Sequence, residues 1–323
     1  MQDKIFDIKN DEEFEVLALE AFDYQMQNNA TYANYAALLL KGRTPNNIYE
    51  IPFLPITFFK NQKIICKGKT IEEIFTSSGT TGKQSKHFVS DIALYKKSYL
   101  KSFELFYGDI KDYCILSLLP NYRKQEGSSS LIYMVNDLIT KSGHEQSGFY
   151  LSDYQRLAMK IEKLEAIGQK TILFGVSYAL LDLAKLFPQK LKHTIIMETG
   201  GTKGKRKAML KEDLHKKLSD AFTLEFIHSE YGMTELLSQS YSNKNGIFKS
   251  PPWKKILIRE TNDPIAILSE NKTGGINIID LANIYSCPFI ATQDLGKNFN
   301  DGTFTVLGRF DNSDLRGCNL LVE

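Results

Sequence analysis

Apolar residues recur along this chain at two spacings, and the alternation between them predicts the fold. Over residues 10–42, Phe14, Leu17, Leu19, Ala21 and Phe22 supply apolar positions behind a cap at Asn10 or Asp11, and a second helix is predicted over 32–40. Residues 51–60 (IPFLPITFFK) are equally apolar, but Pro52 and Pro55 resist a helix, so this segment is predicted as an extended lead-in. A helical pattern returns over 91–106, where Ile92, Leu94, Tyr95, Tyr99, Leu100 and Phe103 form an apolar surface, and again over 131–140, 151–167, 177–187 and 205–218. Between these lie short apolar runs that read as buried strands: 114–119 (CILSLL), 171–176 (TILFGV), 193–197, and a strand reached through 223–227. Strands alternating with helices predict βαβ units and a mostly parallel sheet, with ligands beyond the carboxyl ends of its strands.

From Trp253 the pattern changes. Residues 256–259 and 265–268 flank Asn262, Asp263 and Pro264, a hairpin signal, and Gly274 and Gly275 precede a strand over 276–280. The predicted organisation is an α/β body over 1–250 and a β-rich subdomain over 251–323.

Composition narrows the function classes. Of 323 residues, 42% are hydrophobic and 24% charged, as in ordinary globular proteins, and a net charge of +2 gives no global case for binding nucleic acid or an acidic membrane. No apolar run reaches the roughly 18 residues of a membrane span, and the polar, acidic start MQDKIFDIKNDEEFE is unlike a secretory signal, so a cytoplasmic location is expected. Cysteines at 66, 114, 287 and 318 lack CxxC spacing and the five histidines are scattered, so no zinc site is expected. Cys66, Cys114 and Cys287 lie in apolar or strand-like stretches and are expected in the core.

The chemistry concentrates in 75–87, FTSSGTTGKQSKH. Ser77, Ser78, Thr80 and Thr81 supply hydroxyls, Gly79 and Gly82 let backbone amides approach a ligand, and Lys83 and Lys86 add positive charge. The natural guest is a polyphosphate. The segment is not a Walker A loop, because serine stands at 77 and glutamine follows Lys83. Three later motifs follow in order: EYGMTE (230–235), TQDLG (292–296) and GRFD (308–311).

Together these four motifs resemble those of adenylate-forming enzymes. Residues 51–60 and 75–87 further resemble the acyl-protein synthetase branch that feeds the bacterial bioluminescence fatty-acid reductase, related to phenylacetate–CoA ligases. The resemblance implies the α/β N-terminal domain of that superfamily, without its small C-terminal lid domain. It also implies a set of roles. Ser77, Ser78, Gly79, Thr80, Thr81, Gly82 and Lys83 hold nucleotide phosphates, with Lys86 catalytic. Thr234 contacts the α-phosphate, and Glu235 holds Mg²⁺. Tyr231, followed by Gly232, stacks on adenine, and Asp294 accepts the ribose hydroxyls. Arg309 lies near ribose and phosphate. Gly200 and Gly201 match a Gly-Gly-Glu region in part, since Thr202 stands where glutamate is common. The plain alternative for Glu235 is a carboxylate at a helix N-terminus.

Cys318 occupies the position of a cysteine that accepts the acyl group as a thioester in these synthetases. The alternative for Cys318 is a small buried residue on a last strand. A polar loop over 121–130 (NYRKQEGSSS) is placed by resemblance at the mouth of an acyl site, or is simply solvated. The basic run over 203–217 is a solvated helix face or a dock for an acidic carrier protein. His228 lines the pocket or is a satisfied core histidine. The implied function is ATP- and Mg²⁺-dependent activation of a carboxylic acid, fatty by resemblance, and transfer of the acyl group to a protein thiol. The rivals are a CoA ligase of the phenylacetate type and a non-catalytic nucleotide- or acyl-binding subunit.

Overall fold

The computed structural model describes residues 2–77, 83–119, 128–151, 153–200 and 210–309. The Asn10 carboxamide accepts the Glu13 amide and starts α1 (Asp11–Asn28). Asn29 accepts from Tyr32 and starts α2 (Ala30–Leu40). These caps satisfy amide groups that a helix leaves open at its first turn. The extended lead-in is present as β1 (Leu54–Pro55), but its end closes into one helical turn, α3 (Phe58–Asn61). Both prolines lie upstream of that turn and do not oppose it.

Next come β2 (Glu73–Thr76) and β3 (Lys86–Val89), which pair antiparallel, with Phe75 opposite His87. The Asp91 carboxylate caps α4 (Ile92–Tyr107) by accepting the Leu94 amide. The α/β alternation then runs β4 (Cys114–Leu118), α5 (Ser130–Ser142), β5 (Gly148–Phe149), α6 (Tyr154–Ala166), β6 (Thr171–Val176), α7 (Ser177–Leu186), β7 (Thr194–Thr199), α8 (Lys211–Phe222), β8 (His228–Tyr231) and β9 (Ser240–Ser242). The sheet order is β5-β4-β6-β7-β8-β9, parallel except for the β8–β9 pair. Ile172 and Phe174 face one hydrophobic core, while Leu173 faces another with Leu157, Ile161, Leu180 and Leu218 of the covering helices. Burial on both faces is why these strands read as unbroken apolar runs.

The β-rich remainder holds β10 (Ile247–Phe248), β11 (Lys254–Arg259), β12 (Thr273–Asp280), β13 (Phe289–Asn298) and β14 (Phe304–Arg309). They form an antiparallel sheet in the order β10-β14-β13-β12-β11, and β1 joins β13 in parallel. The expected turn at 262–264 is present, with Glu260 N–H donating to Ala266 O and Leu268 N–H to Ile258 O. Its second arm makes only an isolated bridge, Arg259 to Ile267, because Asp263 captures the amides of Ile265 and Ala266. The basic helix predicted over 205–218 is described from Lys211 and runs on to Phe222; residues 201–209 lie outside the described residues.

Candidate active site

The EYGMTE and TQDLG motifs and the described part of GRFD, Gly308 and Arg309, converge where the two six-stranded sheets meet. Tyr231 ends β8, while Asp294 and Arg309 are cross-strand partners on β13 and β14. The Tyr231 hydroxyl donates to Asp294 Oδ2 at 2.9 Å, and Arg309 Nε lies 3.2 Å from Asp294 Oδ1. The Asp294 carboxylate thus takes the phenol on one oxygen and the guanidinium on the other. The Tyr231 ring packs against Phe248 and Phe304, with centroids 5.8 and 5.7 Å away, and Lys254 Nζ lies 5.3 Å from its centre. Burial, joined by the Asp294 carboxylate, pushes the Tyr231 phenol well above its ordinary pKa, so it stays a donor. Gly296, on the same strand, allows close pairing: a Cβ there would stand 2.5 Å from the Thr305 carbonyl oxygen.

Thr234 and Glu235 follow β8 in a tight turn closed by Leu236 N–H donating to Met233 O. Glu235 is therefore not at a helix N-terminus, and the helix-dipole alternative does not apply. Its side chain is buried. The turn is held from below by His87 and Asn283. Burial pushes the His87 pKa down to about 4.

The Ser/Thr/Gly segment begins at the end of β2 and ends in β3. Ser77 closes its base, donating its N–H to Ser85 O and accepting the Ser85 N–H on its hydroxyl. Lys83 and Lys86 are exposed beside it, and Gly200 follows β7 in the left-handed region at φ +65°. Ser78, Gly79, Thr80, Thr81, Gly82, Gly201 and Cys318 lie outside the described residues, as do the basic run up to 209 and the 121–127 part of the polar loop.

A buried charge network behind the site was not legible in the sequence. Glu198 on β7 accepts from Ser177 and Ser229 and lies 3.7 Å from Lys211 Nζ. Glu230 on β8, the partner of Thr199 across the parallel ladder, accepts the Thr199 hydroxyl at 2.5 Å. A Cβ at Gly232 would come within 2.5 Å of Glu230 Oε1, which explains glycine at that step of the motif. Burial raises the Glu230 carboxyl to about 7 and lowers Lys254 to about 8, while Lys254 Nζ donates to Ser238 O.

Because the folded pKa of Glu230 stands above its unfolded value, ionisation costs stability. The cost is absent below about pH 4.5, grows as pH rises, and is complete above about 7. Glu230→Gln keeps an acceptor for Thr199, so it should gain on the wild-type protein by on the order of 3 kcal/mol across that window. Thermal unfolding of both proteins at about pH 5 and about pH 8 measures this; an unchanged gap would contradict it.

Cys66, Cys114 and Cys287 are buried free thiols, as their apolar settings suggested, and burial raises the pKa of each. His228 is partly buried with its Nδ1 3.2 Å from the Tyr107 hydroxyl. No cluster of three or more metal-ligating side chains occurs among the described residues. Mg²⁺ keeps several waters and phosphate oxygens as ligands, so a single buried carboxylate such as Glu235 is a donor set it accepts. No described helix is long and apolar enough to cross a membrane.

No protein-family model matches the chain. Over 335 aligned residues it is 22% identical to the long-chain-fatty-acid–luciferin-component ligase of Vibrio harveyi, covering 93% of this chain and 84% of that one. It superposes on ATP-bound MatB from Rhodopseudomonas palustris with a TM-score of 0.55 at 19% identity, covering 73% of this chain and 47% of that one. For the luciferase-like enzyme of the nonluminescent mealworm Zophobas morio the TM-score is 0.53 at 18% identity, with coverage of 76% and 59%. For o-succinylbenzoate coenzyme A synthetase of Bacillus subtilis, solved with ATP and magnesium, it is 0.52 at 19% identity, with coverage of 76% and 52%. The chain thus spans about half the length of the solved structures it matches.

Proposed function

We propose that this chain, which has the fold of the adenylate-forming enzymes and resembles their acyl-protein synthetase branch, activates a carboxylic acid with ATP and passes the acyl group to a thiol. The observation that supports this most is the contact among Tyr231, Asp294 and Arg309, residues singled out on three separate motifs that meet within hydrogen-bonding distance.

A carboxylate is a poor acyl donor because oxide leaves badly. In the proposed first step a substrate carboxylate oxygen attacks the α-phosphorus of ATP, the bond to the bridging oxygen breaks, and pyrophosphate departs with that electron pair. The hairpin residues 77–83 donate to the β- and γ-phosphates. Lys86 and Thr234 meet the charge that develops around the α-phosphorus. Asp294 accepts the ribose hydroxyls and Tyr231 lies against adenine. Glu235 would hold Mg²⁺, which neutralises phosphate charge when bound. In the second step a thiolate attacks the acyl carbonyl and AMP leaves; the thiol proton goes to solvent. A fatty acid as substrate rests on the likeness to the Vibrio ligase.

The acceptor is proposed to be Cys318, which lies outside the described residues. Incubation with Mg²⁺-ATP and a panel of carboxylic acids should add an acyl-sized, hydroxylamine-labile mass that maps to Cys318. Cys318→Ser should lose the adduct but keep adenylation within about threefold. Pyrophosphate release without an adduct would shift the acceptor to a soluble thiol such as coenzyme A, the reading favoured by likeness to o-succinylbenzoate coenzyme A synthetase.

A further inference from the structure

Two consecutive carbonyls in the turn after β8 are held by buried side chains from distant parts of the chain. His87 Nδ1 lies 2.8 Å from Thr234 O, and Asn283 Nδ2 donates to Glu235 O at 2.8 Å. The two holders touch each other, with His87 Nε2 and Asn283 Oδ1 3.0 Å apart, and Asn283 Nδ2 also donates to Cys287 O at 2.9 Å. His87 and Asn283 are both buried, and Phe59 packs edge-on against the imidazole at 5.8 Å. Thr234 O and Asn283 Oδ1 both only accept and a neutral imidazole has one N–H, so the clamp on Thr234 O is the tautomer with its proton on Nδ1, which leaves Nε2 against Asn283 Oδ1 as a contact and not a hydrogen bond. The imidazole comes from β3, at the end of the Ser/Thr/Gly segment, and the amide comes from the 3-10 turn Leu281–Asn283. Three segments are thereby tied in one knot beneath Thr234 and Glu235.

We propose that His87, together with Asn283, is a positioning residue for adenylation: it fixes the peptide that carries the Thr234 hydroxyl and the Glu235 carboxylate and locks it to the β2–β3 hairpin. This rests on the functional reading of those two residues given above. His87 touches no reacting atom and acts through the turn. Groups that must meet developing phosphate charge gain from a backbone with one conformation, and a displacement of about 1 Å costs on the order of a hundredfold in rate.

The test compares His87→Ala with His87→Asn, whose side-chain amide nitrogen stands close to the position of Nδ1 and can still donate to Thr234 O. One readout needs no activity: hydrogen exchange of the Leu236 amide, which closes the turn onto Met233 O. It should exchange about tenfold faster in His87→Ala and near the wild-type rate in His87→Asn. The other readout is acid-dependent ATP–pyrophosphate exchange. There kcat should fall roughly 10- to 100-fold in His87→Ala with KM for ATP within about threefold, and His87→Asn should recover most of kcat.

An unchanged Leu236 amide and kcat in His87→Ala would overturn the proposal. So would equal losses in both variants that follow their melting temperatures, the behaviour of a plain core residue. If His87→Ala does not fold, Asn283→Ser, which removes the donor to Glu235 O, takes its place under the same criteria. If the wild-type protein exchanges pyrophosphate with no acid, the adenylation reading itself fails, and with it a positioning role in adenylation; the Leu236 amide then shows whether the clamp exists without it.

Discussion

Replacing Glu235 with glutamine is expected to lower acid-dependent ATP–pyrophosphate exchange by about 10²- to 10³-fold. Glutamine has the size and shape of glutamate but no charge, so it fits the same buried turn while losing most of its hold on a hard cation. The backbone supports are untouched, because Asn283 and His87 bond to carbonyls of the turn and not to the carboxylate. The melting temperature should therefore stay within a few degrees of wild type, on the order of a 1 kcal/mol change. Raising Mg²⁺ should recover part of the loss, since weakened metal binding appears first as a higher metal requirement. Exchange at the wild-type rate would remove Glu235 from the metal role.

Asp294→Asn is expected to act on nucleotide binding. The aspartate holds Tyr231 on one oxygen and Arg309 on the other, and the same carboxylate is the proposed acceptor of a ribose diol. Asparagine turns one oxygen into a donor, which must face a hydroxyl, a guanidinium or the ribose, and any of these pairings loses an acceptor. With hydrogen bonds to a charged group worth about 1.5–3 kcal/mol, the KM for ATP should rise about 10²-fold with a smaller change in kcat. Burial of Tyr231 sharpens the effect, because its hydroxyl loses a charged acceptor away from solvent. Direct titration of ATP binding separates the cases: unchanged affinity would show that Asp294 serves the β13–β14 ladder and not the nucleotide.

The α/β body was legible because its strands are buried on both faces and its helices on one. The run at 171–176 and the helix beginning at Ser177 were placed to within a residue, and the caps at Asn10 and Asp91 mark their helix starts. The strands that carry TQDLG and the start of GRFD were not legible. In β13, Asp294, Gly296 and Lys297 interrupt the apolar alternation, and in β14 so do Gly308 and Arg309. Residues suited to face a ligand erase the periodic signal that would reveal the strand bearing them. The motifs could name Tyr231, Asp294 and Arg309, but only the β13–β14 register sets Asp294 against Arg309, and only the meeting of the two sheets brings Tyr231 to them. His87 stood at the end of the organising segment with nothing to mark its role, since its partners lie 147 and 196 residues away. The nearness of Glu198 on β7 to Glu230 on β8 was equally invisible, because each carboxylate is made tolerable by hydroxyls and lysines from other elements.

Acid-dependent exchange of labelled pyrophosphate into ATP is the direct sign that the chain forms an acyl-adenylate. Exchange should require Mg²⁺ and a carboxylic acid together, be strongest for one class of acid, and be nearly lost in Glu235→Gln. ATP binding by the wild-type protein with no exchange under any acid would contradict adenylate formation and leave a nucleotide-binding subunit in its place.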